Sequence, residues 1–232
     1  MSSEEIIKEV ERLFPKTYLV GGMVRDVVMK KESNDLDFAT ALTPDEVESI
    51  LHSNNKKVIT LGKRFGTIMT KFDGVQVEIT TFRGETYAPG NRKPVVTFST
   101  DLNYDLSRRD FTMNAMAMRE GRLIDPFKGK HDIELGLIRC VGKPTVRFKE
   151  DPLRMLRACR FASQLGFKIE GNTAKKIREH AHRILEVSKE RWTQEIDKLL
   201  MGPGVELGLF YMWELGLFKF MIPGLHFQYG CK

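Results

Sequence analysis

Two aspartates that stand one residue apart, Asp35 and Asp37, are residues of a type and spacing that could do chemistry. In an extended segment, residues i and i+2 share a face, so both carboxylates point the same way while Leu36 and Phe38 turn into the core. Two carboxylates on one face repel unless a cation lies between them. Mg²⁺ suits such an oxygen site, because water and phosphate oxygens complete its coordination shell. The pair therefore predicts a magnesium site, with a solvated aspartate pair in a turn as the alternative.

Two adjacent glycines, Gly21 and Gly22, lie upstream of the aspartates. A glycine turn lets the backbone approach a phosphate closely, and the apolar run at residues 17–20 reads as a strand that leads into this turn. The helix predicted over residues 23–29 would bring its free amides and its positive end near the glycines. This stretch therefore predicts a seat for a triphosphate.

The glycine pair with Arg25-Asp26, followed by the Asp-x-Asp pair, resembles the signature of the nucleotidyltransferase superfamily shared with DNA polymerase β. More narrowly, it resembles the class II tRNA nucleotidyltransferases (CCA-adding enzymes) and the bacterial poly(A) polymerases. In two-metal chemistry, such ions activate an attacking oxygen and stabilise the leaving one. The resemblance implies that the two aspartates hold Mg²⁺, and that the glycines and Arg25 bind the triphosphate.

A predicted hairpin supplies a third carboxylate, Glu78. Asp73-Gly74 between two alternating runs is a strong signal for a two-residue turn that joins strands at 67–72 and 75–82. The alternation places Glu78 on the polar face, where it could stand beside the two aspartates on a neighbouring strand. The family pattern also has an acidic residue here, and a solvated strand glutamate is the alternative.

Residues 82–95 are rich in glycine, proline and asparagine, which predicts a long connection rather than a regular element. The segment resembles the flexible loop of CCA-adding and A-adding enzymes. The residues that carry this pattern are Phe82, Arg83, Glu85, Tyr87, Arg92 and Pro94. Its Ala-Pro-Gly-Asn run departs from the commoner Asp-containing spacing. Enzymes that add only CC generally lack this loop, so its presence argues against a CC-only activity.

The run at residues 108–115 matches the family's Arg-Arg-Asp-Phe-Thr-x-Asn-Ala. It is interpreted as a helix that presents cations and amides at one end, with Asp110 and Asn114 one helical turn apart. Arg109 is expected to hold a β- or γ-phosphate through its planar fork. Asp110 and Asn114 are expected to bind the ribose or to orient Arg109.

The run at residues 148–162 matches the family's Glu-Asp-x-x-Arg-x-x-Arg-x-x-Arg-Phe and predicts a helix. Asp151 and Arg154 are neighbours at i, i+3. A carboxylate only accepts and a guanidinium only donates, so this pair complements a base edge that has an amino donor beside a ring-nitrogen acceptor. Adenine and cytosine present that edge, whereas guanine and uracil do not, which predicts selection of ATP and CTP. Arg157 and Arg160 are expected to support the site, and an ion pair on a basic helix is the alternative.

Composition bounds the remaining possibilities. The chain has 232 residues, of which 41% are hydrophobic and 29% charged, and it has no apolar run of ~18 residues that would predict a membrane span. Three widely spaced cysteines fit neither a zinc site nor a disulfide framework, which favours a cytoplasmic location. The net charge is +6, and arginines gather at 108–109, 147–160 and 178–191, which favours a phosphate-rich partner such as RNA.

Hydrophobic periodicity and capping residues predict further elements. They are a strand at 58–61 and helices at 3–14, 172–187, 189–201 and 205–220. A further helix is expected to begin after Thr43, which caps it.

Together these features predict an α+β fold. A polymerase β-like nucleotidyltransferase head, a mixed sheet with helices, is expected over residues 1–138. An all-α neck that selects the base and binds RNA is expected over residues 139–232. Family members usually run on through further helical domains, so the neck is expected to be incomplete at its C-terminus, by truncation or as a naturally short form.

The resemblance covers residues 18–200 and implies template-independent addition of C and A, from CTP and ATP, to the 3′ end of tRNA. An A-adding enzyme of a split CC/A system and a poly(A) polymerase remain open within the class. A small-molecule nucleotidyltransferase and a non-catalytic RNA- or nucleotide-binding module are the alternatives outside it. Neither of these needs both the paired metal carboxylates and the base-reading pair.

Overall fold

The structure is a computed structural model that describes residues 1–31, 36–86 and 95–224, apart from the side chains at positions 85, 86 and 95. Asp35 and the predicted loop residues Tyr87, Arg92 and Pro94 lie outside the described residues, as does the side chain of residue 85. Within the described ranges, no helix is both long enough and apolar enough to cross a membrane.

The chain forms two compact units. The first, called here the sheet unit, comprises Met1–Arg109 and Met113–Lys130. The second, called the helical unit, comprises Asp110–Thr112 and His131–Lys232. Residues 110–112, which belong to the predicted head, group with the helical unit. The domain boundary after residue 138 stays a prediction.

The sheet unit is organised around a mixed sheet. Its described strands are β1 (Thr17–Val20), β2 (Leu36–Thr40), β3 (Val58–Ile59), β4 (Thr67–Phe72), β5 (Val75–Thr81), β6 (Arg83–Thr86), β7 (Val95–Phe98), β8 (Ala117–Arg119) and β9 (Arg122–Ile124). Among the described residues, seven strands form one sheet in the order β3-β4-β5-β2-β1-β8-β9, and β6 pairs with β7 separately. Strands β2 and β5 run parallel, while the other pairs are antiparallel. The predicted mixed sheet is therefore confirmed.

The β4–β5 hairpin turns at the predicted dipeptide. Phe72 and Val75 are register partners, and the two residues between them have φ angles of 47° at Asp73 and 83° at Gly74. A two-residue turn with both φ angles positive matches the twist of the flanking strands. This turn fixes the register of β5 and therefore the face on which Glu78 stands.

Four described helices belong to the sheet unit: α1 (Ser3–Leu13), α2 (Gly22–Val28), α3 (Pro44–Ser53) and α4 (Leu102–Ser107). Thr43 caps α3 by accepting from the amide of Glu46, whose carboxylate accepts in turn from the Thr43 amide. This reciprocal capping box satisfies two amides that the helix leaves unpaired. The predicted start of the helix is confirmed.

Apolar side chains of β1 and β2 build part of the core of the sheet unit. Leu36 and Phe38 are buried, as their alternation with Asp37 predicts. One buried cluster joins the sheet to α4 and comprises Val20, Ala39, Phe82, Leu106 and Ala117. Asp37 lies on the opposite face of β2 from Leu36 and Phe38.

The helical unit contains most of the remaining elements. Its described helices are α5 (Gly129–Glu134, beginning in the sheet unit), α6 (Pro144–Glu150), α7 (Leu153–Leu165), α8 (Gly171–His180), α9 (Lys189–Leu200), α10 (Val205–Glu214) and α11 (Leu217–Met221). Two short strands, β10 (Leu137–Ile138) and β11 (Lys168–Ile169), pair in parallel. The neck is helical as predicted, apart from this strand pair.

Two predicted helices are interrupted. The helix expected over 172–187 ends at His180 and continues as a 3-10 segment, Ala181–Glu186. The helix expected over 205–220 breaks between α10 and α11, where Gly216 has a φ of 79°. A left-handed glycine ends a helix at little cost, so α11 starts in a new direction.

Two segments differ from their predicted structure. The ends of the expected connection at 82–95 form β6 and β7, an antiparallel pair in which Arg83 opposes Phe98. The helix expected through residues 108–115 was wrong, since α4 ends at Ser107 and only Thr112–Asn114 form a 3-10 turn. Backbone pairing of residues 110–112 with residues 139–141 replaces the helix in between.

Candidate functional site

Two carboxylates lie side by side on the sheet. Asp37 of β2 is the register partner of Glu78 of β5, and side chains of directly paired residues project from the same face. The predicted placement of Glu78 beside the Asp-x-Asp segment is therefore confirmed for Asp37. In addition, Nε2 of Gln76 donates to Oε1 of Glu78 at 3.2 Å. Hard carboxylate oxygens of this kind fit a divalent cation, although no cluster of three or more potential ligands occurs within the described residues.

The turn after β1 brings an arginine close to these carboxylates. Gly21 has φ 73° and ψ −137°, a backbone conformation that residues with a Cβ rarely adopt. A Cβ atom added to Gly21 would lie 3.2 Å from Nη1 of Arg109 and 3.9 Å from Oδ2 of Asp37. The backbone turn, a cation and a carboxylate thus converge on one point, which is what a nucleotide triphosphate with its metal requires.

Arg25 lies in the last turn of α2, where two side chains orient it. Its Nε donates to Oδ1 of Asp26 at 2.8 Å, and its Nη1 donates to Oδ1 of Asn114 at 3.0 Å. A Cβ atom on Gly22 would lie 3.5 Å from Nη2 of the same arginine. The predicted residues Gly22, Arg25 and Asn114 are therefore brought together, and Asn114 orients Arg25 by its side chain.

Arg109 is held by a residue that the sequence analysis missed. Its Nη2 lies 3.2 Å from Oδ2 of Asp105, and Nη2 of Arg108 lies 2.9 Å from Oδ1 of the same carboxylate. Burial raises the pKa of Asp105, but the charges of Arg109 and then Arg108 outweigh it and hold this pKa below its ordinary value. The spacing i, i+3 and i, i+4 from a helical aspartate to both arginines was the available signal.

Asp110 contributes to a different cluster from the predicted one. It belongs to the helical unit, where Nε and Nη2 of Arg157 donate to its Oδ2 at 2.8 and 2.6 Å. Its predicted position one helical turn from Asn114 was wrong, because no helix joins these two residues. The charge of Asp110 is the largest cause that raises the pKa of Arg157.

The two arginines predicted to support the site share a buried acid. Nε of Arg160 lies 2.7 Å from Oε2 of Glu195, a residue of α9, and Nη1 of Arg157 lies 3.7 Å from the other oxygen of that carboxylate. The ring of Phe161 packs edge-on against Phe111, with centroids 5.8 Å apart. Glu195 was not identified from the sequence, because its contact with α7 depends on how α9 packs.

The predicted base-reading residues have defined partners. Oδ1 of Asp151 accepts from the amide of Leu153 at 3.1 Å, and its Oδ2 lies 2.8 Å from Nη2 of Arg191. Nη1 of Arg154 lies 2.8 Å from Oε2 of Glu150. Both side chains are thus fixed at the start of α7, each by a residue of opposite charge.

The chain matches two protein-family models. One of them, the poly A polymerase head domain, matches residues 17–139. The chain belongs to the poly A polymerase head-domain family. The second model, described as the probable RNA and SrmB-binding site of polymerase A, matches residues 166–228.

Two curated relatives are named CCA-adding enzymes. A CCA-adding enzyme of Geobacillus sp. (strain WCH70) is 44% identical over 218 residues, which are 93% of this chain and 53% of that protein. Another, of Geobacillus thermodenitrificans (strain NG80-2), is 45% identical over 222 residues, or 95% of this chain and 54% of that protein. The chain therefore spans about half the length of the curated relatives that it matches.

Solved structures show the same fold. The Bacillus stearothermophilus CCA-adding enzyme in complex with CTP matches with a TM-score of 0.81 and 41% identity, over 92% of this chain and 51% of that one. The predicted membership of the CCA-adding and poly(A) polymerase family, and the predicted fold class, are confirmed. Nucleotidyltransferases of this family generally use a divalent metal.

Proposed function

We propose that this chain carries the catalytic and base-selecting parts of a template-independent RNA nucleotidyltransferase. The reaction is addition of C and A from CTP and ATP to the 3′ end of tRNA, with release of pyrophosphate. The observation that supports it best is the convergence of the Gly21 turn, Arg109 and Asp37, with Glu78 beside Asp37. The curated relatives that are 44% and 45% identical to this chain are named CCA-adding enzymes.

Asp35 and Asp37 are the proposed ligands of Mg²⁺, with Glu78 as a third carboxylate. When bound, the metal lowers the barrier for attack of the tRNA 3′-hydroxyl on the α-phosphorus and stabilises the leaving pyrophosphate. The role of the chain is to hold the carboxylates on one sheet face, where β2 and β5 fix their spacing. Of the three, Asp37 and Glu78 have described positions, and both face the same side.

Gly21, Gly22, Arg25 and Arg109 are the proposed triphosphate-binding residues. Backbone amides at a glycine turn donate to phosphate oxygens, and an arginine fork donates two parallel hydrogen bonds to them. Asp26 and Asp105 keep the two guanidinium groups aimed before the nucleotide arrives. Pre-set donors bind tightly because less side-chain freedom is lost on binding.

Asp151 and Arg154 are the proposed readers of the base, with Arg157 and Arg160 in support. Glu150 forms an ion pair with Arg154, and Arg191 forms one with Asp151, each at 2.8 Å. The donor and the acceptor therefore keep their positions, and the pair offers one fixed hydrogen-bonding pattern to the base. A fixed pattern rejects guanine and uracil, because each would leave buried polar groups unpaired. Asp110, Asn114 and Glu195 act in this proposal as residues that position arginines.

The helical unit is the proposed binding surface for the tRNA 3′ region, and residues 1–138 and 139–232 serve as head and neck. A tRNA nucleotidyltransferase complexed with a primer tRNA and an incoming ATP analogue matches with a TM-score of 0.76 and 32% identity, over 95% of this chain and 62% of that one. The second family model is described as a probable RNA-binding site. An A-adding enzyme and a poly(A) polymerase share these features, so the product distinguishes them.

The test uses tRNAs that end before CCA, after the first C and after CC. Each is incubated with the chain, Mg²⁺ and one of the four nucleoside triphosphates or the ATP and CTP mixture, and resolved at single-nucleotide length. Ordered addition of C, C and A followed by a stop is the expected result. A single A on the CC-ended tRNA alone would identify an A-adding enzyme, and a long A ladder a poly(A) polymerase. No addition by the folded chain, even with saturating tRNA, would contradict the catalytic proposal.

A further inference from the structure

Asp105 occupies an unusual place for a charged residue. It lies in α4 with 1% of its surface exposed, and its carboxylate contacts two arginines and a backbone amide. A buried carboxylate is costly unless it is paired and hydrogen-bonded. The contacts that Asp105 makes therefore explain why it is ionised.

The two oxygens of Asp105 are divided between two arginines. Oδ1 accepts from Nε and Nη2 of Arg108 at 3.2 and 2.9 Å, while Oδ2 lies 3.2 Å from Nη2 of Arg109. A second contact holds the other arm of Arg109, whose Nη1 donates to the backbone oxygen of Asn114 at 3.5 Å. These two contacts fix the plane of the Arg109 guanidinium, with Nη1 closest to the Gly21 turn.

Helix α4, which carries Asp105, contacts strand β6. The amide of Arg83, the first residue of β6, donates to Oδ1 of Asp105 at 3.4 Å. The next residue, Gly84, packs against the ring of Tyr104, where an added Cβ would overlap the Tyr104 hydroxyl. Two adjacent residues of α4, Tyr104 and Asp105, therefore contact β6.

We propose that Asp105 is a positioning residue for the nucleotide site, which aims the Arg109 guanidinium at the triphosphate over the Gly21 turn. The inference rests on the proposed function, because it assigns Arg109 to phosphate binding. Asp105 touches neither the nucleotide nor the metal, and it acts through Arg109. Its removal releases the guanidinium from its fixed plane, so the oriented hydrogen bonds to phosphate are lost while the contacts to base and ribose remain.

The expected effect is selective for the phosphate chain. Asp105→Asn should raise the Kd for ATP about tenfold, the value for one charge-assisted hydrogen bond, and leave the Kd for AMP within about twofold. Asp101→Asn is the matched control, because Asp101 is an exposed acid that caps the same helix by accepting from the Asn103 amide at 2.8 Å. It removes one charge from α4 without a contact to Arg109, and should leave the ATP-to-AMP ratio unchanged.

The test is a double-mutant cycle of Asp105→Asn and Arg109→Ala, with ATP and AMP binding measured by calorimetry on folded protein. If Asp105 acts through Arg109, then Asp105→Asn should change the Kd for ATP by less than about twofold in the Arg109→Ala background. Additive effects, or equal loss of ATP and AMP binding, would overturn the inference. If Asp105→Asn does not fold, Asp105→Glu keeps the charge but displaces it, and should give the same selective loss of ATP binding.

A wild-type chain that binds no ATP would overturn the proposed function together with this inference. A wild-type chain that binds ATP, beside an Asp105→Asn variant of equal ATP affinity, would overturn the inference alone. A merely structural role for Asp105 would lower the melting temperature without changing the ratio of the ATP and AMP dissociation constants.

Discussion

Single residues set the geometry of the proposed phosphate site, and Gly21 is the most constrained of them. Its φ of 73° and ψ of −137° place it in a region that is essentially restricted to glycine, and its missing side chain leaves room for the Arg109 guanidinium. Gly21 therefore meets two separate requirements, a backbone conformation that favours glycine and space for the Arg109 guanidinium. Gly74 has a φ of 83° but no atom within 4 Å of an added Cβ, so it shares only the conformational requirement.

Gly21→Ala should lower stability by about 1–3 kcal/mol through backbone strain and also weaken ATP binding about tenfold by displacing Arg109. Gly74→Ala should cost a similar amount of stability and leave ATP binding unchanged. Chemical denaturation and ATP titration of both variants separate the two effects. Equal ATP affinity in the two variants would show that Gly21 does not need the space beside Arg109.

The acid–base character of Asp105 gives a pH-dependent prediction. Its pKa lies below the ordinary value in the folded chain, so its contribution to stability is complete above about pH 4 and is lost as pH falls through the lower folded pKa. Asp105→Asn should therefore show a shallower loss of unfolding free energy below pH 4 than the wild type. Urea unfolding at stepped pH measures this, and parallel curves would contradict the assigned pKa shift.

Some residue contacts follow from the sequence and others do not. Glu78 could be placed beside Asp37, because strand side chains alternate with a period of two and a clear turn set the register. The partners Asp105, Glu150 and Glu195 were missed, although the first two lie within four residues of their arginines. Glu195 is 35 residues from Arg160, and only the packing of α9 against α7 brings them together.

At the scale of elements, α7 is the central helix of the helical unit. Nearly all of its residues from Leu153 to Ser163 are buried, including Arg154 and Arg160. Arg154 forms an ion pair with Glu150 of α6, and Arg160 forms one with Glu195 of α9. This explains how one helix can present arginines and also form a core.

The thiols of Cys140 and Cys159 report on this core. Burial raises the pKa of Cys140 to about 12 and raises that of Cys159 as well, and the thiolate is the reactive form. In a Cys231→Ser variant at pH 8, both thiols should react with a thiol reagent only when urea unfolds the chain. Rapid reaction in the native protein would mean that α7 and the segment at residues 139–141 open locally.

Element prediction succeeded where local signals were strong. The capping box of α3 and the Asp73-Gly74 hairpin are set by neighbouring residues, so their positions were predicted correctly. The segment at residues 108–115 was assigned to a helix because its own pattern is compatible with one. Its strand-like pairing with residues 139–141 is a long-range interaction, which overrides local preference.

At the scale of the whole molecule, the chain combines a sheet unit and a helical unit within about half the length of its curated relatives. Its net charge of +6 and the arginines of the helical unit favour a phosphate backbone as partner. Affinity for tRNA should therefore fall at least tenfold between about 50 and 200 mM salt, as release of several counterions predicts. ATP affinity should change less, because fewer phosphates are neutralised. Filter binding measures the tRNA slope, and a flat response would contradict an electrostatic RNA surface.

The most direct test of the central claim is single-turnover addition of CMP to a tRNA lacking CCA by the Asp37→Asn variant. Loss of one proposed metal-binding carboxylate should lower the rate about a thousandfold, while the Kd for CTP in metal-free buffer stays within about threefold of the wild type. Asp45→Asn, which removes an exposed acid from α3, should react at the wild-type rate. Addition by Asp37→Asn at the wild-type rate would contradict the assignment of the sheet carboxylates as the catalytic centre.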